Sequence, residues 1–284
     1  MSPARAIARR SAGISDRFRR RGRFFVDGLW RFFTMASITR VVVASALVLA
    51  PTLPAAGDDL ASTLSGMETA YARVEGYTAR FVRQEVVGGV LRPREEALLK
   101  WERPGRMYLR WISGPPAGRE ILFVPGRNDD RMLVSEPGLL TRFATIVMAP
   151  DSPRVLEESR HPVTDIGMGR LIDLILDNAR RAAAARELTV RDHGTAPGPD
   201  GLERRLEAIL PREREKGYYC YRLVLALAAD TGLPVRAIVH DWDDRVVADY
   251  AYRELRLNPA LTPADFDAAN PAYGFPRWRW QVAR

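Results

Sequence analysis

Apolar and polar positions along this chain alternate with two periods, and the switch between them orders its elements. Residues 77–84 read as a strand, and residues 98–106 read as a second strand running into a turn. Between them Val87-Gly88-Gly89-Val90 carries two glycines, which take the positive φ angles of a two-residue hairpin turn without steric cost. A third strand over 107–112 follows Pro104-Gly105, so an antiparallel sheet is expected from the start. Ahead of it, Leu60, Leu64, Met67, Tyr71 and Val74 recur at threes and fours, which predicts a helix over about 58–75 with one apolar face against that sheet.

Two short strands, 118–124 and 131–134, are expected to flank a turn over 126–130 rich in glycine, asparagine and aspartate. Residues 139–148 are apolar and fit strand or helix, and 151–162 read as irregular. The clearest helix spans 166–184, with Thr164 or Asp165 as its cap. Its stripe of Met168, Leu171, Ile172, Ile175, Leu176 and Ala179, widened by Leu174, suits a helix packed on a core or a lid over a cavity. A second block of strands follows at 188–190, 202–210, 218–228, 235–242 and 246–257, separated by turn clusters at 193–201, 211–217, 230–232 and 241–245. Thr262 and Pro263 open a last helical turn, and the tail Arg277-Trp278-Arg279-Trp280 fits a lipid surface or a flexible end.

The amino end changes the reading of the charge. Arg40, the uncharged apolar run 41–50 and the small-residue stretch Pro54-Ala55-Ala56-Gly57 have the layout of a secretory signal peptide over about 35–56. A membrane span needs about 20 apolar residues, and Pro51 and Pro54 interrupt this run first. Cleavage is expected near Ala56, with no cysteine there to carry a lipid anchor. Residues 1–34 hold nine arginines and two aspartates without a clear period, and Met35 is the more ordinary start. Arg9-Arg10 lies far from the apolar run for a twin-arginine signal. The whole chain carries 43 basic and 35 acidic side chains, but ten arginines and two aspartates fall within residues 1–56, leaving 33 of each sign. The exported part is neutral, which removes the case for nucleic acid. Residues 57–284 are expected to form one domain with one core. Cys220 is the only cysteine, excluding an intrachain disulfide or a cysteine-based zinc site, and its apolar surroundings suit a small buried side chain.

Tyr77, Ala79, Phe81 and Gln84, a hairpin, the Arg103-Pro104 pair and an aromatic strand ending in Trp111 together resemble the LolA branch of the LolA/LolB-like periplasmic lipoprotein carriers, in an uncharacterised side branch. The resemblance is strongest over 60–135, and the order helix, strands, helix, strands extends it over most of residues 57–284. It implies a mainly β (α+β) fold: an unclosed antiparallel β-barrel with helices over its concave face, enclosing an apolar cavity for acyl chains. It also implies that Arg103 hydrogen-bonds to the lid and holds the empty cavity shut, a task suited to a planar fork that stays charged. The chain departs from the family's pattern in a longer stretch between Pro104 and Trp111 and in the turn at 126–130.

Phosphate-loop and nucleophile-elbow patterns are absent. Ser152, His161 and Asp165 lie close in sequence, and Asp241, Asp243 and Asp244 cluster at a hairpin tip, but spacing alone makes neither a triad nor a metal site. The expected function is therefore a soluble, periplasmic, non-catalytic carrier without cofactor or metal. Phe81, Leu99, Trp101, Leu109, Trp111, Leu171, Ile175, Tyr221 and Leu223 are the candidate cavity residues, with Arg103 beside them. The expected partners are a lipid or lipidated protein as ligand and an inner- or outer-membrane protein for handover, with the carrier itself a monomer. An envelope sensor and an unrecognised hydrolase are the competing readings.

Overall fold

A computed structural model describes residues 56–138, 145–276 and 280–282. Residues 1–55, which hold nearly all of the expected export segment and its apolar run 41–50, and residues 139–144, 277–279 and 283–284 lie outside the described residues. Helix α1 (Ala56–Ala72) leads into the twelve-residue strand β1 (Gly76–Val87). Gly88 and Gly89 both take positive φ, 59° and 80°, so Val87 pairs with Val90 in the two-residue strand β2 (Val90–Leu91). This is the expected hairpin turn, and the chain then returns along β1 as β3 (Glu95–Glu102). Strands β4 (Arg106–Ser113), β5 (Glu120–Phe123), β6 (Met132–Ser135) and β7 (Thr145–Met148) continue the antiparallel meander. The ambiguous 139–148 segment is thus a strand in its described part.

The expected irregular stretch 151–162 contains a short helix, α2 (Pro153–Leu156), with proline in its first turn. The long helix starts later than its stripe suggests. Residues Val163–Ile166 form a separate 3-10 turn, and α3 (Met168–Ala184) is capped by Gly167 with no side-chain bond, so Thr164 and Asp165 are not its caps. The second block comprises β8 (Thr189–Pro197), β9 (Leu202–Ile209), β10 (Arg222–Ala228), β11 (Pro234–His240) and β12 (Val246–Leu257). His193-Gly194 is not a turn: β8 runs through it with a bulge between Asp192 and Thr195, and the reversal comes at 198–201. β10 begins at Arg222 rather than 218, with the Tyr221 backbone still bonded to Leu210 and His240 on either side.

The two blocks are one sheet. β12 pairs antiparallel with β1 along most of its length, placing Phe81 opposite Tyr252 and Arg83 opposite Tyr250. The strand order is β13-β7-β6-β5-β4-β3-β1-β12-β11-β10-β9-β8, with β13 (Trp280–Val282) parallel to β7. The end strands β13 and β8 do not pair, so the sheet is mainly antiparallel and unclosed, with helices on one face. Of the tail Arg277-Trp278-Arg279-Trp280 only Trp280 is among the described residues, as the first residue of β13.

The largest cluster of buried side chains lies between α1, α3 and the concave face, and includes Met67, Tyr77, Leu99, Trp101, Leu109 and Ile172. On the convex face the segment after β12 forms a strap: Tyr273 stacks on Tyr108 at 3.8 Å, Phe266 is buried, and Lys100 donates to Asp265 at 2.6 Å. Thr262 and Asp265 make the reciprocal capping bonds of this strap's 3-10 turn.

Candidate functional site

Strand alternation sends Phe81 of β1, Ala208 of β9, Leu223 of β10, Val239 of β11 and Tyr250 and Tyr252 of β12 toward α3, where they enclose a cavity of about 300 Å³. Arg170, Leu171, Leu174, Ile175, Asn178 and Ala179 form its helical wall. These residues follow the i, i+4 spacing of one stripe, shifted around the helix from Met168, Ile172 and Leu176, which point into the packed core. Helix α3 therefore serves both purposes its breadth suggested: one stripe packs and the next faces empty space.

The helix is held at both ends. At its start the Met168 amide donates to the Tyr77 hydroxyl at 2.8 Å, and the Tyr252 hydroxyl donates to the Ile166 carbonyl at 2.7 Å. Tyr77 is itself stacked on Trp101, with ring centres 5.3 Å apart. Gly169 leaves room for Tyr71 of α1, since a Cβ there would lie 2.5 Å from the Tyr71 hydroxyl. Farther along, the Tyr219 amide donates to Asn178 Oδ1 at 3.0 Å, and Arg181 donates to the Gly217 carbonyl at 2.7 Å. The span between these ties roofs the cavity.

One end of the cavity is polar. His161 Nε2 lies 2.7 Å from the Tyr219 hydroxyl, and Tyr250 donates to Glu85, which is only 3% exposed and also receives the Arg160 amide. Arg83, 8% exposed, donates to Glu95 at 2.8 Å and to Ser159 at 3.0 Å. Burial holds the His161 imidazole below its ordinary value, with Glu85 and Asp165 opposing that shift. The Tyr250 phenol is raised, first by burial and then by Glu85. Burial pushes the Cys220 thiol up to about 12, so this cavity-wall cysteine is a protonated small side chain rather than a nucleophile.

Of the predicted cavity residues, Phe81, Leu171, Ile175 and Leu223 line this cavity. Leu99, Trp101, Leu109 and Trp111 lie on the concave face but in the filled core, Trp111 bordering a smaller void of about 40 Å³. Large side chains there occupy the space a ligand would need. Tyr221 sits apart, with the Arg212 guanidinium 4.3 Å from its ring centre. Arg103 is also away from the cavity: its Nε and Nη2 donate to the carbonyls of Val74 and Tyr71 at 2.7 and 2.9 Å, and its guanidinium lies 5.1 Å from the Tyr71 ring centre. The fork satisfies carbonyls as expected, but those at the end of α1, not those of α3.

The sequence reading missed Tyr71, Tyr77 and Tyr252 as anchors of α3, and Ala208, Val239 and Tyr250 as cavity wall. Strand alternation, or for Tyr71 the helical stripe, marks these as inward-facing; only the pairing of β1 with β12 and the placement of α3 give them their roles. Ser152 is directed to Met148 Sδ at 3.7 Å, and His161 Nδ1 stays 3.9 Å from Asp165, too far for a hydrogen bond. No Ser-His-Asp relay forms. Asp244 instead pairs with Arg222 at 2.7 Å, and Asp241 accepts the Asp243 and Arg245 amides of its hairpin. Among the described residues no group of three or more histidine, cysteine or carboxylate side chains is placed to hold a metal ion.

A family described as "Protein of unknown function (DUF1571)" matches residues 74–275, from the end of α1 through the convex strap. The chain belongs to the DUF1571 family. No curated protein matches it. Among solved structures, this DUF1571 member is similar to an uncharacterized conserved protein from Thermus thermophilus, at 12% identity and a TM-score of 0.43, over 80% of this chain and 99% of that one. It is similar to a chain of the Pseudomonas aeruginosa MucA/MucB complex at 17% identity and a TM-score of 0.40, over 74% of this chain but 60% of that one. The LolA superfamily protein NE2245 from Nitrosomonas europaea also matches, at 11% identity and a TM-score of 0.34, over 73% and 96% of the two chains.

Proposed function

We propose that this DUF1571 protein is a non-catalytic, exported carrier that holds an acyl chain in the cavity beneath α3. The observation behind this reading is the cavity itself: an unfilled, mainly apolar space of about 300 Å³, roofed by a helix tied at both ends, with its charged side chains at Arg83, Asp165 and Arg170. That volume lies at the lower end of the ~300–1,000 Å³ usual for small-molecule sites. Each methylene moved from water into such a space contributes about 0.8 kcal/mol. A long chain is then held firmly, and release calls for a receiving membrane or protein. The neutral charge balance of residues 57–284 and the export-type segment before them fit work in the periplasm.

The test is native mass spectrometry, with solvent extraction, on protein expressed from the full sequence and exported to a bacterial periplasm. The carrier reading expects a stoichiometric lipid or acylated peptide that exchanges between vesicles unaltered. Protein that stays empty after incubation with envelope lipids sinks it, and a chemically altered lipid would turn the assignment toward a hydrolase.

A further inference from the structure

The shape of the cavity and the charges at its mouth say more about the occupant, given that the cavity is the ligand site argued above. Its helical wall runs from Arg170 to Ala179, roughly 14 Å at 1.5 Å per residue. A volume of about 300 Å³ along that length is a small slot, with Leu188 and Leu210 in its lining and packed near Ala182 at the end of α3. Two or three acyl chains side by side need a wider space. The walls resist widening, because α3 is tied at both ends and the facing strands belong to a continuous ladder.

The open end is polar and unevenly charged. The lining carries two guanidinium groups, Arg83 and Arg170, against one carboxylate, Asp165. Arg83 is buried and fully engaged with Glu95 and Ser159. Arg170 is different: its side chain is 63% exposed, and its contacts with Asp165 and Asp173 are loose, at 3.4 and 3.8 Å. It can leave them for a stronger anion at little cost, because exposed pairs of this kind are weak. The buried carboxylates close by are already engaged: Glu85 accepts from the Tyr250 hydroxyl and the Arg160 amide, and Glu95 from Arg83 and Trp111.

We propose that the occupant is a single-chain amphiphile, its one acyl chain in the slot and its anionic head group received at the mouth by Arg170. A fatty-acid carboxylate and a lysophospholipid phosphate share this chemistry, and the test separates them. The delipidated full-length protein is titrated with cis-parinaric acid, lysophosphatidylglycerol, neutral monoacylglycerol and diacyl phosphatidylglycerol, by fluorescence displacement and native mass spectrometry.

One equivalent of at least one anionic single-chain probe is expected to bind, with diacyl phosphatidylglycerol about tenfold or more weaker. Whichever of the two binds more tightly names the head group. Arg170→Gln should weaken the anionic probes about three- to fivefold and leave monoacylglycerol unchanged. Ala208→Phe and Leu174→Phe, which fill the slot from opposite walls, should each abolish binding of every probe while circular dichroism stays native; a folded filled variant that still binds overturns the placement. Equal or tighter binding of the diacyl lipid overturns the single-chain assignment but leaves the carrier reading intact. Monoacylglycerol binding as tightly as the acids, with Arg170→Gln silent, overturns the anionic head. Binding of none of the four overturns the carrier reading itself.

Discussion

Two halves of one sheet meet at the β1–β12 pairing, and they treat their concave faces in opposite ways. The half built from β3 to β6 presents Trp101, Met107, Leu109 and Met132, each at most 8% exposed, and these fill the space but for a void of about 40 Å³. Under α3, the half built from β9 to β12 presents Ala208, Leu223 and Val239 toward a helix stripe that does not reach them, and a cavity remains. Phe81 and Tyr252, with ring centres 5.4 Å apart, form the wall between the two. Both halves share strand geometry and helical cover. What differs is side-chain volume, so whether a stretch of this barrel is core or container is set residue by residue.

The largest test of that contrast is a pair of truncations. Trp101→Ala removes a stacked, buried ring from the filled half and should cost about 3–5 kcal/mol. Leu223→Ala, which already borders empty space, should cost ~1 kcal/mol, because fewer contacts are lost. Urea unfolding measures both, and equal losses would erase the distinction between the halves.

Next in size is Arg103→Leu. Two charged hydrogen bonds to the end of α1 disappear and their carbonyls are left unpaired, a loss of about 1–3 kcal/mol. Hydrogen exchange should rise at 71–74 and stay unchanged in α3; faster exchange across α3 instead would restore Arg103 to the latch role implied by the LolA resemblance.

Gly169→Ala probes the contact between the two helices. The new methyl would meet the Tyr71 ring, and such overpacking costs about 1–3 kcal/mol. Combined with Tyr71→Ala, the penalty should be less than the sum of the two single changes, and strict additivity would show that the helices do not meet there.

The smallest effect is a pH dependence confined to the container half. The folded protein holds His161 below its ordinary value of 6.5, so the unfolded chain takes up the proton first. This contribution is fully present above pH 6.5 and is lost as pH falls through the folded value. The paired carboxylates Glu158 and Asp265 are also lowered, but their contributions fade only below their ordinary values of 4.5 and 3.8. Unfolding midpoints between pH 7 and 5 should therefore drift downward in the natural protein and flatten in His161→Gln. An unchanged slope in that variant would assign the drift elsewhere.

The unclosed barrel with helices over it was implied by the LolA resemblance, whereas local signals in the chain were enough for most of the strands, the Gly88-Gly89 hairpin, the two long helices and the buried character of Cys220. Each depends on residues that are neighbours in sequence: a period of two, a period of 3.6, a pair of glycines. The start of α3 was misplaced because Ile166, though apolar and on the stripe, belongs to a 3-10 turn whose carbonyl is claimed by Tyr252, a residue 86 positions away. The same limit governs the site. Alternation put Leu99, Trp101 and Leu109 on the right face, yet nothing local distinguishes an inward side chain that fills a space from one that borders it. That difference depends on what stands opposite. Only the pairing of β12 with β1 and the ties from Tyr77, Tyr252 and Tyr219 bring α3 over the small residues and leave the slot open.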